Sequence, residues 1–199
     1  MHERIIYLYE RHAQTWDKQR RGGHFIEEPW LECFIGWLAE GAAVLDVGCG
    51  NGEPIGRHLV EKGFAVTGLD SASSLIGIAR RRFPAQEWIV GDMRELALER
   101  RFQGIIAWHS FFHLSPEDQR PMFARFAGHL EPGGVLMFTS GPEHGEVIGE
   151  WQGEPLYHGS LDPEEYRQLL ATNGFALVDY RIRDRECGSA TVWLARKSG

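Results

Sequence analysis

The feature that most constrains the fold is a glycine-rich turn between an apolar segment and a predicted helix. Residues 44–47 read as a short buried strand that includes Asp46, and residues 48–52 carry glycine at every second position. Residues 54–62 are predicted as a helix, with Pro54 near its start, where the missing N–H does no harm. A strand, a glycine turn and a helix open a nucleotide-binding βαβ unit, because a side chain in the turn would hold a ligand away from the backbone.

The glycine spacing separates this turn from a dinucleotide fingerprint. Gly48 and Gly50 fit that fingerprint, but its third position is Glu53. A carboxylate such as Asp46 inside a buried strand lowers the stability of the fold unless an ammonium group or backbone N–H groups donate hydrogen bonds to it. Together these residues resemble motif I of the class I S-adenosylmethionine-dependent methyltransferases, whose glycine loop faces the methionine part and ribose of the cofactor. The resemblance implies that S-adenosyl-L-methionine is the cofactor and that Asp46, Gly48, Cys49 and Gly50 contact it.

Acidic residues follow the next two predicted strands. Asp70 ends the second strand, where a carboxylate can accept from both ribose hydroxyls; the alternative is a turn aspartate that caps the next helix, although Ser71 and its neighbours could do that instead. After the third strand, the family resemblance implies that Asp92 bonds the adenine amino group and that Met93 packs against the ring. We place Ser71 with these residues in the predicted cofactor site.

The remaining pattern predicts one α/β domain over residues 1–199. Pro132-Gly133-Gly134 precedes a fifth strand, as in the family, and two final strands at 175–183 and 189–196 form a predicted hairpin. The resemblance implies a Rossmann-like three-layer sandwich whose seven-stranded, mostly parallel sheet has one antiparallel strand and the order 3-2-1-4-5-7-6. The resemblance covers nearly the whole chain, because Asp46, Asp70, Asp92, the Pro-Gly-Gly turn and the closing strand pair follow one another in the family's order.

Two regions outside this pattern are expected to select the acceptor. Residues 1–40 read as helical, and Tyr9, Ala13, Trp16 and Asp17 resemble the N-terminal lid helix of many small-molecule methyltransferases, which implies that Trp16 covers the cofactor. Residues 141–160 show no strong period. Because a loop of that length is uncommon in a compact domain unless it is functional, we interpret it as a substrate-side insertion.

The catalytic residues are not determined by the sequence. Methyl transfer from a sulfonium requires alignment of the acceptor and exclusion of water, and a general base only if the acceptor must lose a proton. The weak candidates are His109, His113, Tyr157 and His158, each of which is also consistent with a structural role. Trp108 ends the fourth strand and should line the ligand crevice.

Missing motifs narrow the acceptor class. Trp108-His109 stands where catechol-type enzymes carry magnesium-binding carboxylates, so no metal is expected. The strand 4 end also lacks the Pro-Pro-aromatic motif of amino-methylating DNA enzymes and the paired glutamates of protein arginine methyltransferases. The sequence therefore favours a metal-free methyltransferase acting on a small molecule, with Trp108 at the methyl-transfer site or against the adenine.

Composition excludes several classes of partner and compartment. The net charge is −7 for 199 residues, which argues against nucleic acid as the partner. Three scattered cysteines, the absence of an apolar run of roughly 18 residues and an N-terminus unlike a signal peptide favour a cytoplasmic protein that does not cross a membrane. We expect a monomer or a weak homodimer. Two alternatives stay open: a non-catalytic S-adenosylmethionine-binding protein and, less favoured, an NAD(P)-dependent oxidoreductase.

Overall fold

The computed structural model describes residues 4–199, and the first three residues, on which part of the lid and signal-peptide expectations rests, lie outside this range. The helices are α1 Ile5–Arg11, α2 Ala13–Gly22, α3 Glu28–Ile35, α4 Ile55–Glu61, α5 Ser73–Arg82, α6 Pro116–His129 and α7 Pro163–Thr172. The strands are β1 Ala43–Val47, β2 Ala65–Asp70, β3 Glu87–Val90, β4 Phe102–Ala107, β5 Leu130–Ser140, β6 Gly145–Trp151, β7 Glu154–Ser160, β8 Phe175–Asp184 and β9 Ala190–Lys197.

Seven strands form one sheet in the order β3-β2-β1-β4-β5-β9-β8. The strand β9 runs antiparallel to both of its neighbours, whereas the other pairs in the sheet are parallel. Once β6 and β7, which form a separate two-stranded sheet, are left out of the numbering, this is the predicted order 3-2-1-4-5-7-6. The predicted fold class is therefore confirmed.

The sheet lies between two apolar layers, as a three-layer sandwich requires. Helices α3, α4 and α5 pack on one face, where Phe34, Leu59 and Ile76 are fully buried. Helices α6 and α7 pack on the other face through residues such as Phe123 and Tyr166. The side chains of a buried parallel strand point alternately into these two layers, which explains the near-continuous apolar runs in the central strands.

The register brings the carboxyl ends of the first four strands to one edge. Val47 pairs with Leu69, and Asp70 pairs with Val90. The chain order reverses between β1 and β4, which lie side by side in parallel. Ligands of open α/β sheets bind in the crevice outside such a switch point.

The region 141–160 differs from the expected loop, because residues 145–160 form the β6–β7 hairpin. Its register runs from Gly145 opposite Ser160 to Trp151 opposite Glu154. The alternation of apolar and polar residues that identifies a strand is absent because β6 is exposed on both faces, with Val147 and Ile148 65% and 53% exposed. The expectation of an irregular segment was therefore wrong.

The structure also differs from the prediction in where two elements begin or end. The helical pattern predicted over residues 1–40 ends earlier, since α3 ends at Ile35. The fifth strand begins at Leu130 rather than after the Pro132-Gly133-Gly134 turn. That turn is accommodated within β5 at an irregularity in its pairing with β4. Within residues 4–199, no helix combines the length and the apolar character that a membrane crossing requires.

Candidate active site

A cleft opens at the carboxyl ends of β1, β2, β3 and β4. It encloses about 1010 Å³ of space that no protein atom fills, part of it open to solvent. All ten residues predicted to contact the cofactor line it, namely Trp16, Asp46, Gly48, Cys49, Gly50, Asp70, Ser71, Asp92, Met93 and Trp108. Of the four catalytic candidates, His109 and His113 line the cleft, whereas Tyr157 and His158 are absent from its wall.

The glycine turn is held to the end of β2 by its own backbone. The N–H groups of Gly48 and Cys49 donate to the Leu69 carbonyl at 2.7 and 3.1 Å. Gly48 has φ +76°, and a Cβ atom there would lie 2.2 Å from the Cβ of Ser110. Only glycine fits this position, because both the backbone conformation and the space exclude a side chain.

Asp70 connects the glycine turn to the start of α5. Its carboxylate accepts from the backbone N–H groups of Gly50 and Ala72, both at 2.8 Å. The hydroxyl groups of Ser73 and Ser74 donate instead to Glu10 on α1, and Ala72 makes no side-chain cap. Burial raises the pKa of Asp70, and the two N–H groups oppose this shift. Asp70 thus orients the turn and still lines the cleft.

Asp46 is a buried carboxylate without a bonding partner. It is 3% exposed, and across residues 4–199 no side-chain hydrogen bond or ion pair reaches it. Burial, together with the nearby Asp70 and only partly offset by Arg20, raises its pKa to about 7. A buried carboxylate is costly unless it is paired, so this position favours a cationic ligand group.

Asp92 and Met93 lie at the third strand end, as predicted, but Asp92 has a partner that the sequence did not reveal. The Arg94 guanidinium donates to its carboxylate through Nε and through Nη2, the latter at 2.6 Å, and the Arg94 N–H donates at 2.9 Å. Although burial acts to raise the pKa of Asp92, these bonds bring it below its usual value. Asp92 is therefore ionised and able to accept further hydrogen bonds.

Helices α1 and α2 cover the cleft with aromatic side chains. The Tyr9 and Trp16 rings meet edge to face at 5.1 Å, and Trp151 at the tip of the β6–β7 hairpin packs against both. The predicted lid and the predicted insertion therefore touch each other above the cleft. Arg20, which none of the sequence motifs includes, also lines the cleft.

His113 is bonded at both ring nitrogens. Its Nδ1 lies 2.8 Å from the Tyr157 carbonyl and must carry the proton, so Nε2 accepts from the Tyr9 hydroxyl at 3.0 Å. Burial lowers the pKa of His113 to about 3. A neutral imidazole with both nitrogens engaged is a poor general base in this arrangement.

The other candidates surround His113. His109, with φ +48°, has a pKa lowered to about 4, chiefly by burial. The His158 ring stacks on His113 at 5.1 Å, and burial lowers its pKa too. Tyr157 contributes its carbonyl rather than its hydroxyl to His113. Both imidazoles in the cleft wall are thus neutral near pH 7.

One group of side chains with metal-binding chemistry lies outside the cleft. Among residues 4–199, Glu28, Glu32 and His58 bring their ligand atoms within 4.8 Å of one another. Glu32 already accepts from His58 at 2.9 Å and pairs with Lys62 at 2.8 Å. None of these residues lines the cleft.

Comparison with known protein families shows which kind of domain has a similar sequence around this cleft. Residues 44–134 match the family model described as a methyltransferase domain. Over these residues the chain is similar to a methyltransferase domain, in agreement with the predicted class I S-adenosylmethionine-dependent family. Solved structures with the same fold include methyltransferases bound to S-adenosylmethionine, in agreement with the predicted cofactor.

Two curated relatives of this methyltransferase domain are named for small-molecule metabolism. The dTDP-3-amino-3,6-dideoxy-α-D-glucopyranose N,N-dimethyltransferase of Streptomyces fradiae is 38% identical over 98 residues, which are 48% of this chain and 38% of the relative. The ubiquinone/menaquinone biosynthesis C-methyltransferase of Campylobacter jejuni is 24% identical, with 98% of both chains covered. The matches span less than half the length of the first two curated relatives, 38% and 42%.

Solved structures show the same fold. An S-adenosylmethionine-bound amino pentose methyltransferase from Micromonospora echinaspora has a TM-score of 0.72 at 19% identity, with 93% of this chain and 96% of that chain covered. The 1,6-didemethyltoxoflavin-N1-methyltransferase of Burkholderia thailandensis has a TM-score of 0.74 at 21% identity, with 100% and 87% covered. The likeness thus extends over the lid and the hairpin as well as the methyltransferase domain.

Proposed function

We propose that this protein transfers the methyl group of S-adenosylmethionine to a small-molecule acceptor by a metal-free, in-line displacement. The observation that carries the proposal is the single cleft into which the glycine turn and the carboxylates of Asp46, Asp70 and Asp92 face. The family match supports a methyl donor, and the names of the relatives support a small acceptor. S-adenosylmethionine supplies an already activated methyl group, so the chain mainly has to bind, align and exclude water.

The residues of the cleft fit the chemistry of this cofactor. Asp46, unpaired and buried, would meet positive charge on the methionine part, and Asp70 would accept from the ribose hydroxyls. Asp92 would accept from the adenine amino group, with Met93 against the ring. Trp108 fits the same space, because its indole N–H is buried without a partner among residues 4–199.

We place the acceptor beneath the lid, beside Tyr9, His109 and His113. These side chains line the cleft, and neither imidazole is charged near pH 7. The contact of Tyr9 and Trp16 with Trp151 covers this part of the cleft and would limit the access of water. The site therefore suits an acceptor atom that is nucleophilic without help from a strong base, such as an uncharged nitrogen.

Turnover of S-adenosylmethionine with a labelled methyl group tests the proposal. The acceptor panel should include amino sugars, quinone precursors and nitrogen heterocycles, since the names of similar proteins contain these classes. We expect label in a small-molecule product together with S-adenosylhomocysteine, and less of both with the Asp70→Ala variant at a cofactor concentration that does not saturate it. Cofactor binding without turnover on any acceptor would favour the non-catalytic alternative, and binding of NADH in its place would favour an oxidoreductase.

We further propose that the enzyme acts in the cytoplasm, as a monomer or weak homodimer, and that nucleic acid is not its acceptor. The three cysteines are free thiols, which supports a reducing compartment. The net charge of −7 opposes binding to a phosphate backbone. Sedimentation of the purified protein and a nucleic-acid binding assay at low salt test these statements.

A further inference from the structure

Asp17 on α2 joins the lid to the protein body beneath it. Its carboxylate, 12% exposed, accepts from Asn51 Nδ2 and from Arg82 Nη2, both at 2.7 Å, and from Arg21 Nε at 3.1 Å. Asn51 belongs to the glycine turn, and Arg82 ends α5. One side chain of the lid therefore bonds both the turn and the helix that follow the first two strands.

The bond to Asn51 continues into Glu53, the residue in the third position of the fingerprint. The fully buried Asn51 accepts from the Glu53 N–H at 3.1 Å. The Glu53 carboxylate pairs with Arg57 at 2.6 Å and with Arg82 at 3.4 Å. Arg82 thus forms ion pairs with both Asp17 and Glu53, which lie on the lid and just before the start of α4.

The same stretch of α2 presents two residues to the cleft, one on each side of Asp17 in sequence. Trp16 covers the turn so closely that a Cβ atom on Gly50 would lie 3.1 Å from its Nε1. Arg20 Nε donates to the Glu53 carbonyl at 3.3 Å, and its guanidinium lies 5.6 Å from the centre of the Trp16 ring. Asp17 and Arg20 thus bond this part of the lid to Asn51, Glu53 and Arg82. Arg20 also pairs with Glu27, and Gln19 accepts from Trp151.

From this arrangement we propose that Asp17 is a positioning residue, which docks the lid on the cofactor turn and so sets Trp16 and Arg20 over the cofactor. On this proposal, the docking of the lid and the ordering of the glycine turn are coupled, because the same Asp17–Asn51 bond serves both. Burial acts against the charge, but the Arg82 and Asn51 bonds outweigh it and hold the pKa of Asp17 below its usual value. The inference rests on the proposed function, since it assigns the lid to a cofactor site.

The Asp17→Asn variant tests the proposal, because it keeps the size of the side chain and removes the charge that Arg82 meets. Calorimetry with S-adenosylhomocysteine should show affinity weakened roughly tenfold, the size expected when one member of a buried polar network is lost. Amide exchange should show that the ligand protects residues 13–22 less than in the wild type. In Asn51→Ala the loss should be similar, and the double variant should be little worse than either single one.

Glu165→Gln is the matched control. It breaks the ion pair between Glu165 and Arg120, at 2.6 Å, which joins α6 and α7 on the other face of the sheet. We expect it to leave ligand affinity and exchange of residues 13–22 unchanged. If Asp17→Asn lowers the melting temperature while ligand affinity and lid protection stay as in the wild type, Asp17 is only structural and the inference is wrong. If the wild type itself fails to bind, the proposed function fails first.

Discussion

Replacing Asp46 by asparagine should stabilise the unliganded protein and weaken its binding of the cofactor. Asp46 is 3% exposed and its carboxylate gains no hydrogen bond from the described residues, so folding buries a charge that Arg20 compensates only in part. An amide of nearly the same shape removes the charge and keeps the packing. A substitution that raises the free energy of unfolding and weakens ligand binding identifies a residue that serves the ligand rather than the fold.

The size of the effect follows from the pKa. A rise of the Asp46 pKa from 3.8 to about 7 is equivalent to about 4 kcal/mol of lost folding free energy. The folded state holds this proton longer than the unfolded state, so wild-type stability falls as pH rises from about 4 to about 7 and is flat above. Since a buried amide also costs about 1–3 kcal/mol, we expect the variant to be about 1–3 kcal/mol more stable above pH 7.

Urea unfolding of both proteins at pH 5 and pH 7.5 measures this difference. The advantage of Asp46→Asn should grow between these values by at most about 2.5 kcal/mol. Calorimetry should show S-adenosylmethionine binding weakened roughly 10- to 100-fold, the loss of one charge-assisted contact. Wild-type affinity should also decline below pH 7, because binding then requires Asp46 to release its proton. The reasoning would be refuted if Asp46→Asn were more stable than the wild type by the same free energy at both pH values. It would also be refuted if the two proteins bound S-adenosylmethionine with equal affinity.

Three further substitutions test other parts of the site. Gly48→Ala should cost more than about 2 kcal/mol of unfolding free energy, because φ is +76° and no space exists for the new atom; unchanged urea unfolding would contradict this. Asp70→Ala should weaken S-adenosylhomocysteine binding at least roughly tenfold in calorimetry, since the Gly50 bond is lost too, and equal affinity would argue against a ribose contact. Tyr9→Phe removes the hydroxyl bonded to His113 and should lower kcat but not cofactor affinity; the reverse would place Tyr9 with the cofactor.

The cofactor side of the cleft was predictable because each of its parts is local. A glycine turn after an apolar strand, and an acid at the end of each of the next two strands, can be read within a few residues. Parallel pairing then forces Asp46, Asp70 and Asp92 to one edge, whatever the helices do. The sequence pattern therefore predicted both the fold and the residues that line this half of the cleft.

The acceptor side was less predictable because it depends on contacts between distant segments. Tyr9 and His113 are 104 residues apart and meet only after the lid folds over the sheet edge. The β6–β7 hairpin was missed because β6 is exposed on both faces, so no buried face imposes an alternation of apolar and polar residues on that strand. Arg94 beside Asp92 is closer in sequence, but an arginine two residues after an aspartate is too common a pattern to predict a bond.

The most direct test of the central claim is a crystal structure of the protein grown with S-adenosylhomocysteine. We predict density for the ligand in the cleft at the ends of β1 to β4, with the ribose hydroxyls bonded to Asp70 and the adenine between Asp92 and Trp108 or Met93. Density elsewhere on the protein, or a ligand in the cleft with none of Asp46, Asp70 and Asp92 within hydrogen-bond distance, would contradict the claim.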